Sequence, residues 1–127
     1  MLEITDEQFA EIIGQAMDEL PGEYIEGLNN VAVTYEDDPS PEQRTKLKLS
    51  GRQSLFGLYE GIPLTKRGSG YSMVLPDKIT IFKNPLLGVA HDLSALHAMV
   101  KHTLWHEVAH YYGLDHDRIH DIEQNWR

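Results

Sequence analysis

The chain has 127 residues, a length that serves one domain with one core rather than two. Its 41% hydrophobic and 24% charged residues fit a soluble globular protein, and a formal net charge of −9 disfavours nucleic acid or an anionic membrane as partner. Cysteine is absent, which excludes disulfides, thiolate ligands and cysteine nucleophiles, so any metal site must draw on His, Asp or Glu.

The first residues, Met1-Leu2-Glu3-Ile4-Thr5-Asp6-Glu7, are acidic and carry no apolar run of the signal-peptide kind. No stretch approaches the roughly 20 apolar residues of a membrane span. The expectation is a cytoplasmic protein made in mature form, without a pro-segment. Residues 6–20 predict an amphipathic helix, because Phe9, Ile12, Ile13, Ala16, Met17 and Leu20 recur at helical spacing. Thr5 and Gln8 form a capping box at its start, and Pro21-Gly22 stops it.

Residues 31–36 predict a first strand, with Val31, Val33 and Tyr35 on one face. Asp37 to Pro41 breaks regular structure. Residues 42–53 are polar with a small basic cluster and predict a mobile loop. Its Arg44, Lys46 and Lys48 are weighed as a phosphate site and read as solvated charges. A second strand is expected over 55–60, closed by Gly61-Ile62-Pro63, and a flexible turn over 66–70. A third strand follows Pro76-Asp77 over 78–83. Ile79 and Ile81 alternate there with Thr80 and Phe82, and Asn84-Pro85 ends it. Asp92 is the N-cap of a long helix over 93–112, and a short last helix spans about 116–125 with Ile119, Ile122 and Trp126 as its stripe. No repeat, low-complexity tract or linker divides the chain, so 1–127 is expected to be a single domain.

The long helix carries the chemistry. His106-Glu107-Val108-Ala109-His110 is an H-E-x-x-H motif, extended by Gly113 and His116 to H-E-x-x-H-x-x-G-x-x-H. Residues four apart on a helix sit roughly 40° apart around its axis, so His106 and His110 can point at one metal. Glu107 projects beside that metal, where a general base for metal-bound water belongs. Gly113 can end the helix in the left-handed conformation and return the chain, bringing His116 in as third ligand. Asp115 and Asp117 are alternative third ligands with poorer spacing. Three nitrogens and one water make the open tetrahedral site of catalytic zinc.

The competing reading is an amphipathic helix with surface histidines. Burial argues against it. With His106 at zero and about 100° per residue, Leu93, Leu96, Met99, Val100, Leu104, Val108 and Tyr111 cover an arc from roughly 20° to 200°. Glu107 falls inside that arc, and a buried carboxylate needs a cationic partner. His102 lies one turn before His106 and reads as a solvated histidine at the edge of the face rather than a ligand. Tyr71, Tyr111 and Tyr112 are candidates for the further electrophile, against the plain reading of half-buried tyrosines.

The chain resembles the small bacterial zincin-like metallopeptidases, the type I zinicin-like family with a matrix-metalloprotease-like domain. The resemblance is carried by the opening helix, Leu55 to Thr65, Pro76 to Phe82 and His102 to Gly113. It implies an α+β, minimal zincin-like fold. A small mixed three- to four-stranded sheet would pack on an N-terminal helix and the long metal-motif helix, with a short C-terminal helix. It also implies zinc peptidase activity on a peptide or unfolded protein. The metzincins add a methionine turn, but no methionine follows Met99, so the floor of the site falls to the final helix or to Met73. A peptide would add along an exposed strand edge, expected at Leu58-Tyr59-Glu60. Two rivals remain. One is a zinc-stabilised binding module without catalysis. The other is a metal-dependent endoribonuclease, echoed by Gly113-Leu114-Asp115-His116 but opposed by Glu107 and the negative charge. Nothing in the sequence sets an oligomeric state.

Overall fold

A three-stranded mixed sheet lies against two long helices among the described residues. The structure is a computed structural model, and it describes residues 2–49, 56–68 and 76–125. Helix α1 (Asp6–Glu19) opens the chain on the expected capping box: Thr5 Oγ1 accepts from Gln8 N–H and Gln8 Oε1 accepts from Thr5 N–H. Phe9, Ile13 and Ala16 bury its apolar stripe against α5 (Leu93–Tyr112). A short helix, α2 (Gly22–Glu26), follows Pro21 directly and places Tyr24 edge-on against Trp105.

Strand β1 (Val31–Glu36) pairs parallel with β3 (Asp77–Phe82), from Val31 opposite Asp77 to Glu36 opposite Phe82. Strand β2 (Gly57–Glu60) pairs antiparallel with β3 on its other side, so among the described residues the order is β1-β3-β2 with β2 at an edge. Leu55 lies outside the described residues. Thr80 and Phe82 are buried as fully as Ile79 and Ile81, so β3 has no polar, solvent-facing side. Ile79 and Ile81 join the main core, while Phe82 packs with Leu58 on the opposite face.

One segment differs from the sequence expectation: α3 (Pro41–Leu49) covers residues 42–49 of the predicted loop over 42–53, and residues 50–53 lie outside the described residues. Ser40 Oγ accepts from Gln43 N–H and Gln43 Oε1 accepts from Ser40 N–H, a capping box with Pro41 at the first helical position. The buried Gln43 amide then donates to Glu36 and Glu60. Lys46 pairs with Glu60, so a tether to the sheet replaces the solvated loop. Strand β3 ends before Asn84-Pro85 as expected, and the chain passes directly into a further helix, α4 (Lys83–Val89). Pro85 sits in its first turn, where a missing N–H costs nothing. Leu86, Leu87 and Ala90 carry α4 and its cap into the core.

Candidate metal centre

Helix α5 starts where Asp92 Oδ1 accepts from Ala95 N–H, at 2.7 Å, and ends at Gly113, whose φ of 71° is left-handed. Leu114 N–H bonds Ala109 C=O and Gly113 N–H bonds His110 C=O, the Schellman closure. A Cβ on Gly113 would lie 2.6 Å from Thr65 Oγ1, so the position needs glycine for space as well as for φ. Asp115 Oδ1 then accepts from Arg118 N–H as the cap of α6 (His116–Asn125), which engages one of the alternative third ligands in a structural bond.

On this frame His106 and His110 are half-buried on α5, and Glu107 between them is 1% exposed. His116 is the exposed first residue of α6. Exposed Leu93 contributes little to the expected apolar arc, but the buried positions Leu96, Val100, Leu104, Val108 and Tyr111 place Glu107 within it, as the wheel requires. Tyr111 and Tyr112 are tied to the backbone of the 24–29 segment. Asn29 N–H donates to the Tyr111 hydroxyl at 3.0 Å, and the Tyr112 hydroxyl donates to Tyr24 C=O at 2.6 Å. Burial first, and then neighbouring Tyr111, holds the Tyr112 phenol above its ordinary pKa. Tyr71 and Met73 lie outside the described residues.

The final helix docks on the motif helix. Trp105 Nε1 donates to Ile119 C=O at 3.3 Å, and both residues are buried. This docking turns Glu123 toward α5. Glu123 Oε1 stands 3.2 Å from His102 Nδ1 and 3.5 Å from His106 Nε2. The two rings lie 4.4 Å apart, and one donor atom from each of His102, His106 and Glu123 falls within 4.8 Å of the others. Among the described residues this is the three-residue group of His and carboxylate donors drawn that close together, and His110 and His116 are not members of it. Glu123 escaped the sequence reading, although a signal existed. It sits four residues after Ile119 and next to Ile122, on the buried stripe of α6, the same anomaly that singled out Glu107.

Strand β2 runs beside the motif helix. Gly57 permits this contact, since a Cβ there would stand 2.6 Å from Thr103 Cγ2. Further along, Tyr59 meets Tyr111 edge-on at 6.2 Å. A shallow apolar hollow of about 210 Å³, lined by Phe56, Ala98, Met99, His102 and Thr103, opens between the start of β2 and α5.

Two buried charges hold the approach to β2. Arg67 pairs with Asp77 on β3, which also accepts from the Tyr59 hydroxyl. The Arg67 guanidinium lies over the Tyr111 ring at 5.0 Å. Burial, and then the Asp77 carboxylate, pushes the Tyr59 phenol far above its ordinary value, so it stays a donor. No helix is long and apolar enough to cross a membrane among the described residues.

No curated protein matches the chain. A family model described as a zincin-like metallopeptidase matches residues 28–126, from before β1 through α6, and therefore includes the motif helix, all three strands and Glu123. With that match spanning well over half its length, and with a mixed sheet set against the H-E-x-x-H helix, the chain belongs to the zincin-like metallopeptidase family.

Proposed function

We propose that the protein is a zinc-dependent peptidase in which His106, His110 and His116 hold the metal and Glu107 is the general base. The family implies a metal, typically zinc. A set of imidazoles and carboxylates fits that ion, with imidazole nitrogen and carboxylate oxygen both accepted at about 2.0–2.2 Å. The observation that carries the reading is the Glu107 carboxylate, 1% exposed on the turn between the two motif histidines. When bound, zinc supplies Lewis acidity, polarising the scissile carbonyl and acidifying water. Glu107 takes the water's proton and delivers it to the leaving amine. The left-handed turn at Gly113 returns the chain so that His116 starts α6 only three residues later. A peptide or unfolded segment adds along β2, the edge strand among the described residues, and the hollow beside Thr103 accepts an apolar side chain.

The experiment measures zinc content and peptide turnover on the same samples. His106→Ala and His110→Ala should each lose zinc, since each removes one of three ligands. Glu107→Gln should keep zinc and lose at least about 10²-fold in turnover, the lower end of general acid–base catalysis. Turnover unchanged with zinc bound would remove Glu107 from the chemistry. The rival reading, a non-catalytic zinc-stabilised binding module, draws support from the Glu123 carboxylate beside His106. It expects Glu107→Gln to weaken the metal about 10- to 100-fold, with no turnover to lose.

A further inference from the structure

We propose that His102 Nδ1, His106 Nε2 and Glu123 Oε1 form a second divalent-metal site that shares His106 with the motif and inhibits the peptidase when zinc is in excess. Three observations converge on these atoms. Two of their three spacings are those of a metal's ligands, and the third is within 4.8 Å. Tetrahedral bonds of about 2.0–2.1 Å place donors about 3.3–3.4 Å apart, and Glu123 Oε1 stands 3.2 and 3.5 Å from the two imidazole nitrogens. Glu123 is 6% exposed, its Oε1 accepts no hydrogen bond among the described residues, and the two imidazole rings are its near neighbours there. A buried carboxylate is costly without a full positive charge nearby, which a divalent ion supplies. His102, by contrast, is exposed, which gives an incoming ion a side from which to enter.

The functional consequence follows from the shared atom. One imidazole nitrogen has one lone pair. His106 Nε2 directed to Glu123 and His102 is withdrawn from a metal held with His110 and His116. Loading the second site therefore empties or distorts the first. It also fastens α6 to α5 through Glu123, beside the Trp105–Ile119 bond. The inhibition rests on the motif ligands proposed above, while the affinity of the second site for metal does not.

The test separates the two. Chelator-stripped His110→Ala, which breaks the motif set, is titrated with Co²⁺ and followed by its visible ligand-field absorption and by thermal shift. One Co²⁺ should bind and raise the melting temperature. Adding Glu123→Gln or His102→Ala to that background should weaken binding beyond the roughly 10- to 100-fold that loss of an outer partner costs. His116→Ala, at an exposed position, serves as background if His110→Ala does not fold. The second readout is zinc inhibition of peptide hydrolysis by the otherwise unaltered chain, which Glu123→Gln should abolish at the same zinc concentrations. An absence of Co²⁺ binding to both single variants would overturn the site and leave an ion pair only. Loss of the ordinary single metal from Glu123→Gln alone would overturn it differently, by making Glu123 a ligand of the motif site. A peptidase inactive for other reasons would leave the Co²⁺ result standing, so the two proposals fail separately.

Discussion

Thr65 occupies the space that a side chain at position 113 would need, its Oγ1 lying 2.6 Å from where a Gly113 Cβ would be. The last turn of the motif helix is thereby set against the segment that follows β2. Gly113→Ala meets two costs. A residue with a Cβ at φ of 71° loses about 1–2 kcal/mol, and the contact with Thr65 adds to it. Thr65→Ala removes the clashing hydroxyl and methyl and should recover the second cost alone. Urea unfolding of the two single variants and the double variant measures the coupling. Full recovery in the double variant would mean that the left-handed conformation is not needed.

Gly57→Ala should displace β2 from the motif helix. A Cβ there would meet Thr103 Cγ2 at 2.6 Å, and overpacking of this kind costs about 1–3 kcal/mol. Thr103→Ser deletes that methyl but keeps the hydroxyl, which donates to Met99 C=O at 2.7 Å. The double variant should regain most of the stability. Peptide affinity should follow the same order if the β2 edge holds the substrate. A destabilised Gly57→Ala that Thr103→Ser does not relieve would locate the strain elsewhere.

Arg67 and Asp77 are 8% and 6% exposed, so removing one leaves the other charged and buried. Asp77→Ala should cost about 3–5 kcal/mol in denaturant unfolding. It strips Arg67 of its carboxylate and Tyr59 of its acceptor together. A loss well below about 1 kcal/mol would show that water reaches the pair.

Acid should loosen α3 from the sheet. Burial pushes the Glu60 carboxyl up, but the hydrogen bonds from Lys46 and Gln43 outweigh it and leave the pKa below the ordinary value. A carboxyl lowered by folding contributes stability above its unfolded pKa, about 4.3. That contribution fades as pH falls from there through the lowered value. Lys46→Ala should raise the Glu60 pKa, because the effect of burial remains while the largest opposing contact is gone. Side-chain carboxyl NMR across the acid range measures it. An unmoved Glu60 would assign the lowering to Gln43 and Lys78.

The metal-motif helix was legible end to end, since Asp92 and Gly113 are unambiguous caps and the pattern between them is long. Strand β1 was legible for the same reason: Val31, Val33 and Tyr35 alternate without interruption. The loop expected from residue 42 onward is helical because the capping box of Ser40 and Gln43 outweighs the breaking tendency of Asp37 to Pro41, with Pro41 tolerated at the first helical position. For the candidate site, sequence spacing could place His106, Glu107 and His110 on one helix, but not the partner helix. The approach of Glu123 depends on how α6 docks through Trp105 and Ile119, a tertiary fact that no local period encodes.

The donors of both proposed metal positions come from residues 102–123, two consecutive helices and the turn between them, and none comes from the sheet. This has a consequence for the order of folding. Contacts close in sequence form at small entropic cost, whereas the parallel pairing of Val31 with Asp77 must close a long loop. An ion present during refolding therefore meets its ligands on a helical hairpin before β1 and β3 have joined. Zinc should accelerate burial of Trp105 while leaving the rate of strand pairing unchanged, so that the proposed metal would be held before the sheet is complete.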